Sequence, residues 1–516
     1  MSAAEKRGLL APAPAFGAGP VLAVDTSLPL EPISKLYGAL SRSPGGRRRR
    51  AASTESDAFR VDKGRWAPLL EGEFTTTVKG VIGSGFFALP YAIKQAGLEA
   101  GGLMVVMVGM MTLVTTKQLV EASRLVRQQH PDVEPDQLLG FLEIGVAAFG
   151  ERASAAVSFS VFCSQFSAVL TYMVFMGSIL TPALSRAVSP MLLEEQEFLH
   201  VSKGTSRSTA SALVMIGCVL LQIALAMLPD PSYMSTICNV GNLGFVVCAV
   251  YMVVHGLLYT PPDFSRNTEP FVSFDGLWAC FGIVSFTLSA HAECLSIHQS
   301  ASDEGRENYK HVVDKVYAVA TVLYLAVSVF AYACFGEQTR QIVLDNYANA
   351  EGATVMQLSM AAMIASGYPL SLFPVHMMVE EAFQLGTPQR VSHDNALAEQ
   401  GLTWAQKVSR TVIVVVSGLL AFLTGDKFAA VSQIGGAFIG FLAFVLPPLM
   451  HVSLTGGWGK LPRRWALINL VIITVGLAGS VLSLRSGFDQ LFSHREEPLG
   501  RAPEPQGLTR SPTAPP

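Results

Sequence analysis

Most of the chain consists of long apolar runs separated by short polar segments. About 20 consecutive apolar residues allow a helix to cross the hydrocarbon core of a bilayer. The pattern therefore predicts a helical protein that crosses a membrane many times. Ten of these runs cover about residues 102–123, 154–183, 209–228, 233–259, 273–298, 312–335, 354–382, 407–424, 428–452 and 465–487.

A further run, Phe74–Gly97, comes first and is interrupted. It contains Lys79, the triplet Gly83-Ser84-Gly85 and, one turn later, Pro90. Glycine and proline weaken helical backbone, and non-helical backbone at membrane depth persists only where protein covers it or it lines a cavity. We interpret this run as a broken first span. A kinked helix with small residues for close packing is the alternative.

The spans are numbered one to eleven in chain order, so the two termini are expected on opposite sides of the membrane. Residues 137–150 are too short to cross and predict an interfacial or re-entrant helix. We expect residues 72–487 to form the transmembrane domain, and residues 1–71 and 488–516 to be disordered tails, because both are rich in Pro, Gly, Ser and Arg.

Lys and Arg residues in the short loops set the expected orientation, since cytosolic loops carry an excess of them. A cytosolic N-terminus agrees with the run Arg47–Arg50 and with thinly spread basic residues on the opposite side. It places these loop residues in the cytosol: Arg124, Arg127, Arg152, Arg306, Lys310, Arg390, Lys407, Lys460, Arg463 and Arg464.

Composition agrees with the membrane assignment. The 516 residues are 50% hydrophobic and 15% charged, with a mean hydropathy of +0.40, whereas soluble domains are about 25% charged. The net charge of −3 gives no reason to expect a nucleic-acid partner. The seven cysteines are scattered, so neither a metal site nor a disulfide framework is predicted, and no pattern implies a cofactor.

Span six contains a second polar interruption, between Ser285 and Glu293. Breaks in the first and sixth spans are expected if spans one to five and six to ten are inverted repeats, with one extra helix at the end. A half-helix beginning at Ser84-Gly85-Phe86 would offer free N–H groups and about +0.5 charge to a carboxylate. Carbonyls freed near Ser285 to Ser289 could accept hydrogen bonds from an ammonium group.

Residues 78–97 resemble the first helix of the amino acid/auxin permease superfamily, most closely its proton-coupled and vacuolar amino acid transporters. Weaker similarities follow in the same order at residues 167–177, 331–336, 368–374 and 435–448. The resemblance covers about residues 72–485. It implies an all-α polytopic fold of the LeuT type, with a 5+5 inverted repeat plus one helix, and transport of amino acids rather than enzymatic chemistry.

Span six departs from the proton-coupled relatives, which usually have Phe-Glu-Gly where this chain has Phe286-Thr287-Leu288. Its segment from Ala290 to Ile297 instead resembles the His-x-Glu stretch of sodium-coupled neutral amino acid transporters. In those relatives a neutral asparagine occupies the position of Lys79, near a sodium site. An ammonium 4 Å from sodium would repel it by about 4 kcal/mol at an effective dielectric of 20, which favours protons over sodium.

These comparisons define the candidate site. Lys79 either bridges to span eight near Ser366 or extends to the cytosolic interface. His291 and Glu293 either bind protons or form a structural pair across the break, and Tyr172 either shapes the pocket or packs. The candidate substrate-binding residues are Gly83, Ser84, Gly85, Phe86, Tyr172, Phe286, Thr287 and Ser289. The candidate ion-coupling residues are Lys79, His291, Glu293 and Ser366.

Other polar residues in the spans are expected to form interhelical hydrogen bonds rather than to bind ligands: Gln165, Asn239, Asn242, His255, His376 and Gln433.

The sequence therefore predicts a secondary active amino acid transporter, coupled to protons, whose partners are its substrate, protons and the bilayer. A sodium-coupled transporter and a transporter-like sensor that signals through the N-terminal tail are the alternatives. An enzyme using His291 or His298 lacks a nucleophile–base or metal signature. The tail patterns Leu9-Leu10 and Tyr37 to Leu40 weakly favour a vacuolar or lysosomal membrane over the plasma membrane.

Overall fold

A computed structural model describes residues 77–78, 80–81, 83–130, 139–192, 209–227, 232–301, 303–347, 350, 352–385, 402–425 and 427–492. The described residues form helices and turns and contain no strand. The predicted N-terminal tail with its sorting patterns, the predicted C-terminal tail from residue 493 onward, and Lys79 lie outside this part of the chain. The last helix continues past Gly487 and ends at Phe492.

The helices are α1 (Leu89–Ala96), α2 (Leu98–Gln129), α3 (Phe141–Phe149), α4 (Ser154–Leu192), α5 (Thr209–Ala226), α6 (Ser232–Tyr259), α7 (Phe264–Asn267), α8 (Phe274–Leu288), α9 (His291–Ser300), α10 (Asp303–Phe335), α11 (Ala353–Ala382), α12 (Trp404–Thr424), α13 (Phe428–Phe444), α14 (Leu446–Leu454) and α15 (Arg463–Phe492). Short 3₁₀ segments occupy Ser84–Ala88, Glu151–Ala153, Gly336–Gln338, Val343–Tyr347 and Trp458–Lys460.

The predicted spans coincide with these helices. Eight described helices are long and apolar enough to cross a membrane, and they correspond to spans two, three and six to eleven. Spans four and five correspond to α5 and α6, whose described apolar parts, Ser211–Ala226 and Gly244–Tyr259, are shorter. The prediction of an all-α polytopic membrane protein is confirmed.

Span one is broken at Gly83. Residues 77–78 and 80–81 are helical, Gly83 is extended at φ −143° and ψ −175°, and a 3₁₀ turn begins at Ser84. Pro90 lies in the first turn of α1, where proline is tolerated because its missing N–H would have no helical partner. The proline therefore helps to start a new helix after the break.

Span six is also broken. Helix α8 ends at Leu288, Ser289 is extended, and α9 begins at His291. The intervening residue, Ala290, has φ −130° and ψ 40°, outside helical geometry. The break thus lies one residue before the His-x-Glu pattern.

Small residues let span six approach spans ten and eleven closely. A Cβ atom on Gly436 would overlap the carbonyl group of Gly282, and one on Gly282 would overlap Ser483 Oγ. Such close backbone approach is a common basis of helix association in membranes. It fixes the first half of span six, α8, against α13 and α15.

Helix α3 is the short helix predicted over 137–150, although its interfacial placement stays a prediction. The Gly140 N–H donates to Glu143 Oε2 at 2.8 Å. The side-chain amide of Gln299, near the end of α9, donates to the Leu139 carbonyl at 2.7 Å and accepts from the Leu139 N–H. The second half of span six, α9, is therefore hydrogen-bonded to the segment that leads into α3.

Candidate functional site

A cavity lies between the two helix breaks and is lined by both broken spans and by spans three, eight and ten. The breaks leave room there because neither span continues as a helix through this level. Nine of the predicted site residues line it: Gly83, Ser84, Gly85, Tyr172, Phe286, Thr287, Ser289, His291 and Glu293.

The span-one side of the cavity offers hydrogen-bond donors. The Phe86 N–H already donates to the Gly83 carbonyl at 3.3 Å. The N–H groups of Ser84 and Gly85 precede that bond, so they lack the partners that a helix interior supplies. Ser84 Oγ is buried and has no partner within the described part of the chain. The Ser84 hydroxyl and the Ser84 and Gly85 amides at the start of this turn are thus the candidate donors to an anionic group.

The span-six side offers acceptors. The Ser289 N–H donates to the Ser285 carbonyl at 3.2 Å, so the carbonyls freed by the break are those of Phe286 to Leu288 rather than that of Ser285. Thr287 Oγ1 donates to the Ile283 carbonyl at 2.7 Å. Ser289 Oγ is buried without a partner among the described residues.

Phe86 does not line the cavity, in contrast to its prediction as a substrate-binding residue. Its ring packs at centroid distances of 4.8 Å from Phe245, 5.1 Å from Phe87 and 5.2 Å from Tyr324. The 3₁₀ turn directs this side chain away from the break. Tyr324 also donates its hydroxyl to the Val81 carbonyl at 2.9 Å, so this aromatic cluster is attached to span one beside the cavity-lining Val81.

His291 and Glu293 both reach the cavity but do not form a pair. Among the described residues, no hydrogen bond joins their side chains, and His291 Nε2 instead lies 2.8 Å from Thr115 Oγ1 on α2. His291 is 3% exposed, and its Nδ1 atom has no partner in the described structure. Glu293 is solvent-accessible within the cavity and lies against Gly80.

The family profile described as transmembrane amino acid transporter protein matches residues 73–487, which include both breaks and every residue that lines the cavity. The chain belongs to this family. Members of the family are transporters, so the expectation that the protein is not an enzyme is confirmed, as is the family resemblance seen in the sequence.

Related family members come from plants and yeast. Amino acid transporter ANT1 of Arabidopsis thaliana is 24% identical over 78% of this chain and 88% of its own length. Amino acid transporter AVT3C of the same plant is 24% identical over 83% of this chain and 92% of its own. Vacuolar amino acid transporter 3 of Saccharomyces cerevisiae is 22% identical over 78% of this chain but only 54% of its own.

The cavity also contains polar residues that the sequence did not single out as ligands. Ser164 and Gln165 on α4 and Ser371 on α11 line it. Gln165 was expected to form an interhelical hydrogen bond, as Gln433 does by donating to Gln490 Oε1 at 2.9 Å. A small polar residue in an apolar helix gives no sequence signal for the face on which it lies. For Ser164 and Gln165, the only available signal was their helical spacing from Tyr172 on the same helix.

Two predicted ion-coupling groups cannot be placed at the cavity. Ser366 belongs to α11, but its side chain, like that of Lys79, lies outside the described residues. A bridge between them stays a prediction. His376, also on α11, is 3% exposed and is not part of the cavity lining.

Proposed function

We propose that the protein is a secondary active transporter that carries amino acids through this cavity in symport with protons. The observation that carries the proposal is the arrangement of the two breaks. Ser84 and Gly85, at the start of the turn after the first break, line the cavity on one side, and residues of the span-six break line it on the other. This arrangement complements the carboxylate and ammonium groups of an α-amino acid.

The substrate side chain would then lie among Tyr172, Phe286 and Ser289, which also line the cavity. Gly83 leaves space beside them, because a Cβ atom there would meet no heavy atom closer than Tyr172 Oη at 3.5 Å. A cavity with aromatic and hydroxyl groups suits neutral amino acids.

Proton coupling is supported by the ionisable groups in the cavity. An ionisable side chain inside a membrane span is a functional candidate by default. His291 presents a free ring nitrogen and Glu293 an accessible carboxylate. The position of Lys79 in span one opposes sodium, since its ammonium would repel a second cation bound nearby.

A vacuolar or lysosomal membrane with a cytosolic N-terminus is the location that the vacuolar relatives and the tail patterns favour. In that orientation, the residues that line the cavity beyond the breaks belong to the cytosolic halves of their spans. They include Glu293, Gln165 and Ala443. Phe86 follows the break and belongs to the other half of span one; we therefore infer that the cavity opens toward the cytosol.

Proteoliposomes test this function with a panel of radiolabelled amino acids, while pH and sodium gradients are imposed separately. We expect a pH gradient to drive accumulation and a sodium gradient to have no effect. His291→Gln should lose the response to the pH gradient but still exchange labelled for unlabelled substrate.

Three results would contradict the proposal in different ways. Sodium-driven accumulation would establish the sodium-coupled alternative. Binding without flux would favour a sensor. An unchanged pH response in His291→Gln would remove His291 from the coupling mechanism.

A further inference from the structure

A threonine on span two, Thr115, is hydrogen-bonded to the buried histidine of the cavity. Thr115 is fully buried, and its Oγ1 lies 2.8 Å from His291 Nε2. The same hydroxyl donates to a carbonyl of its own helix, either Met111 at 2.9 Å or Thr112 at 3.3 Å.

The shared hydroxyl determines which ring nitrogen carries the proton. A threonine hydroxyl has one hydrogen and two lone pairs, and a neutral imidazole has one N–H donor and one acceptor nitrogen. With the Thr115 hydrogen assigned to the helix carbonyl, its oxygen accepts from His291 Nε2–H. That assignment puts the N–H of the neutral ring on Nε2 and makes Nδ1 the acceptor nitrogen.

Nδ1 is the atom that would take up a proton. It is buried without a partner within the described structure, and His291 lines the cavity. A proton arriving from cavity water would bond to Nδ1 and make the ring an imidazolium. Nε2–H would still donate to Thr115, and the new Nδ1–H would become a second donor.

We propose that Thr115 is a positioning residue for proton coupling, which fixes the ring and tautomer of His291 so that Nδ1 is the nitrogen that takes up the proton. This inference rests on the proposed function. It assigns to span two a role that the cavity lining alone does not reveal, since Thr115 does not line the cavity.

Other groups near the His291 ring could also influence its protonation. Glu293 and Cys294 lie on the same helix, and Tyr317 on α10 lies with its hydroxyl 3.9 Å from Cys294 Sγ. The Phe444 ring packs edge-on at 6.4 Å. Lys79 belongs to span one, with its side chain outside the described residues. None of these groups is altered by a substitution at Thr115.

The test compares Thr115→Val, which keeps the shape but removes the hydroxyl, with Thr115→Ser, which keeps the hydroxyl. Uptake of an equimolar mixture of radiolabelled L-amino acids into proteoliposomes is measured across a range of pH. A bond from a charged donor is stronger than one from a neutral donor, so its loss should disfavour the protonated ring. We expect the midpoint, the pH at which uptake is half-maximal, to move to a more acidic value by about 0.5–1 unit in Thr115→Val. In Thr115→Ser it should stay at the wild-type value.

Thr112→Val is the matched control. Thr112 is also fully buried on α2, and its hydroxyl donates to the Val108 carbonyl at 2.8 Å, but it does not contact His291. Its midpoint should not change. If Thr115→Val does not transport, the pH dependence of binding of the same mixture is measured on purified Thr115→Val and Thr115→Ala.

The outcomes separate the two proposals. A wild-type midpoint in Thr115→Val, or an equal shift in Thr112→Val, would overturn the role of Thr115 while leaving proton coupling intact. A wild-type protein whose transport does not respond to pH would overturn proton coupling and this inference together.

Discussion

Two glycines of the first break, Gly83 and Gly85, have different roles although they are two residues apart. A Cβ atom on Gly85 would lie 2.9 Å from Phe286 Cδ1 and 3.0 Å from Thr287 Cα, which is closer than packed atoms can tolerate. Gly85 is therefore needed for contact between the two broken spans. Gly83 has open space beside it, and that space belongs to the cavity.

These surroundings predict a graded response. Gly83→Ala should reduce transport slightly, because its Cβ is 3.5 Å from Tyr172 Oη, whereas Gly83→Leu should fill the cavity and abolish substrate binding without preventing membrane insertion. Gly85→Ala should already reduce transport strongly, because overpacking forces the backbone apart at a cost of about 1–3 kcal/mol. Substrate binding and uptake by the purified Gly83 and Gly85 variants test this graded response.

The control for these substitutions is Gly217 on α5, which is exposed and has no atom near its Cβ position. Gly217→Leu should transport like the wild type. Full binding by Gly83→Leu would show that the substrate does not occupy this part of the cavity.

At the scale of helices, a buried ion pair joins three elements away from the cavity. Arg410 Nε on α12 lies 2.9 Å from Glu380 Oε1 on α11, and the two side chains are 3% and 1% exposed. Arg410 also donates to the Ala226 carbonyl at the end of α5 at 3.1 Å. Gln406 donates to the other oxygen of Glu380 at 2.9 Å. Spans four, eight and nine are thereby held together by charged hydrogen bonds.

Breaking this pair should destabilise the protein strongly. Glu380→Gln leaves the Arg410 charge buried without a counter-charge, and such a change costs about 3–5 kcal/mol. The unfolding temperature in detergent should fall strongly in Glu380→Gln. The double variant Glu380→Gln/Arg410→Met should recover part of that decrease.

The exposed pair of Arg485 and Asp489, separated by 3.9 Å, supplies the comparison. Exposed ion pairs contribute little to stability, so Arg485→Ala should barely change the unfolding temperature. Equal losses in Glu380→Gln and Arg485→Ala would show that burial of the Glu380 pair does not matter.

Hydropathy and helix-breaking residues were sufficient to predict the helical elements and the two breaks. Apolar runs determine spans by length, and Gly83, Pro90 and the polar residues around Ser289 mark where a helix cannot continue unsupported. The structure places Pro90 at a helix start and turns Phe86 out of the cavity, because a 3₁₀ turn rotates the residues after Gly83. Sequence spacing assumes regular helix geometry and could not anticipate that rotation.

Contacts between helices were less predictable. Thr115 looks like any threonine in an apolar helix, since its hydroxyl can be satisfied by its own backbone. Its bond to His291 depends on how span two packs against the second half of span six, 176 residues away. The sequence therefore predicted the parts of the candidate site that lie at the helix breaks. It missed Thr115, whose place in the site depends only on tertiary packing.

For the molecule as a whole, we predict that the transport machinery is separable from the N-terminal tail. Every residue that lines the cavity lies between Gly80 and Ala443, and the family match begins at residue 73. We expect a chain lacking residues 1–71 to transport amino acids at the full-length rate per reconstituted protein, because none of the proposed binding or coupling groups is removed. In cells it should reach a different membrane, since both sorting patterns are lost.

Purified full-length and shortened proteins, matched for unfolding temperature and amount, test the first expectation in proteoliposomes. The full chain with Leu9→Ala and Leu10→Ala is the control for the second, because it keeps the tail but lacks one sorting pattern. We expect this variant to move toward the location of the shortened chain while its flux stays unchanged. A folded shortened chain that binds amino acids without carrying them would show that the tail takes part in the transport cycle, and the separation of sorting from transport would then be wrong.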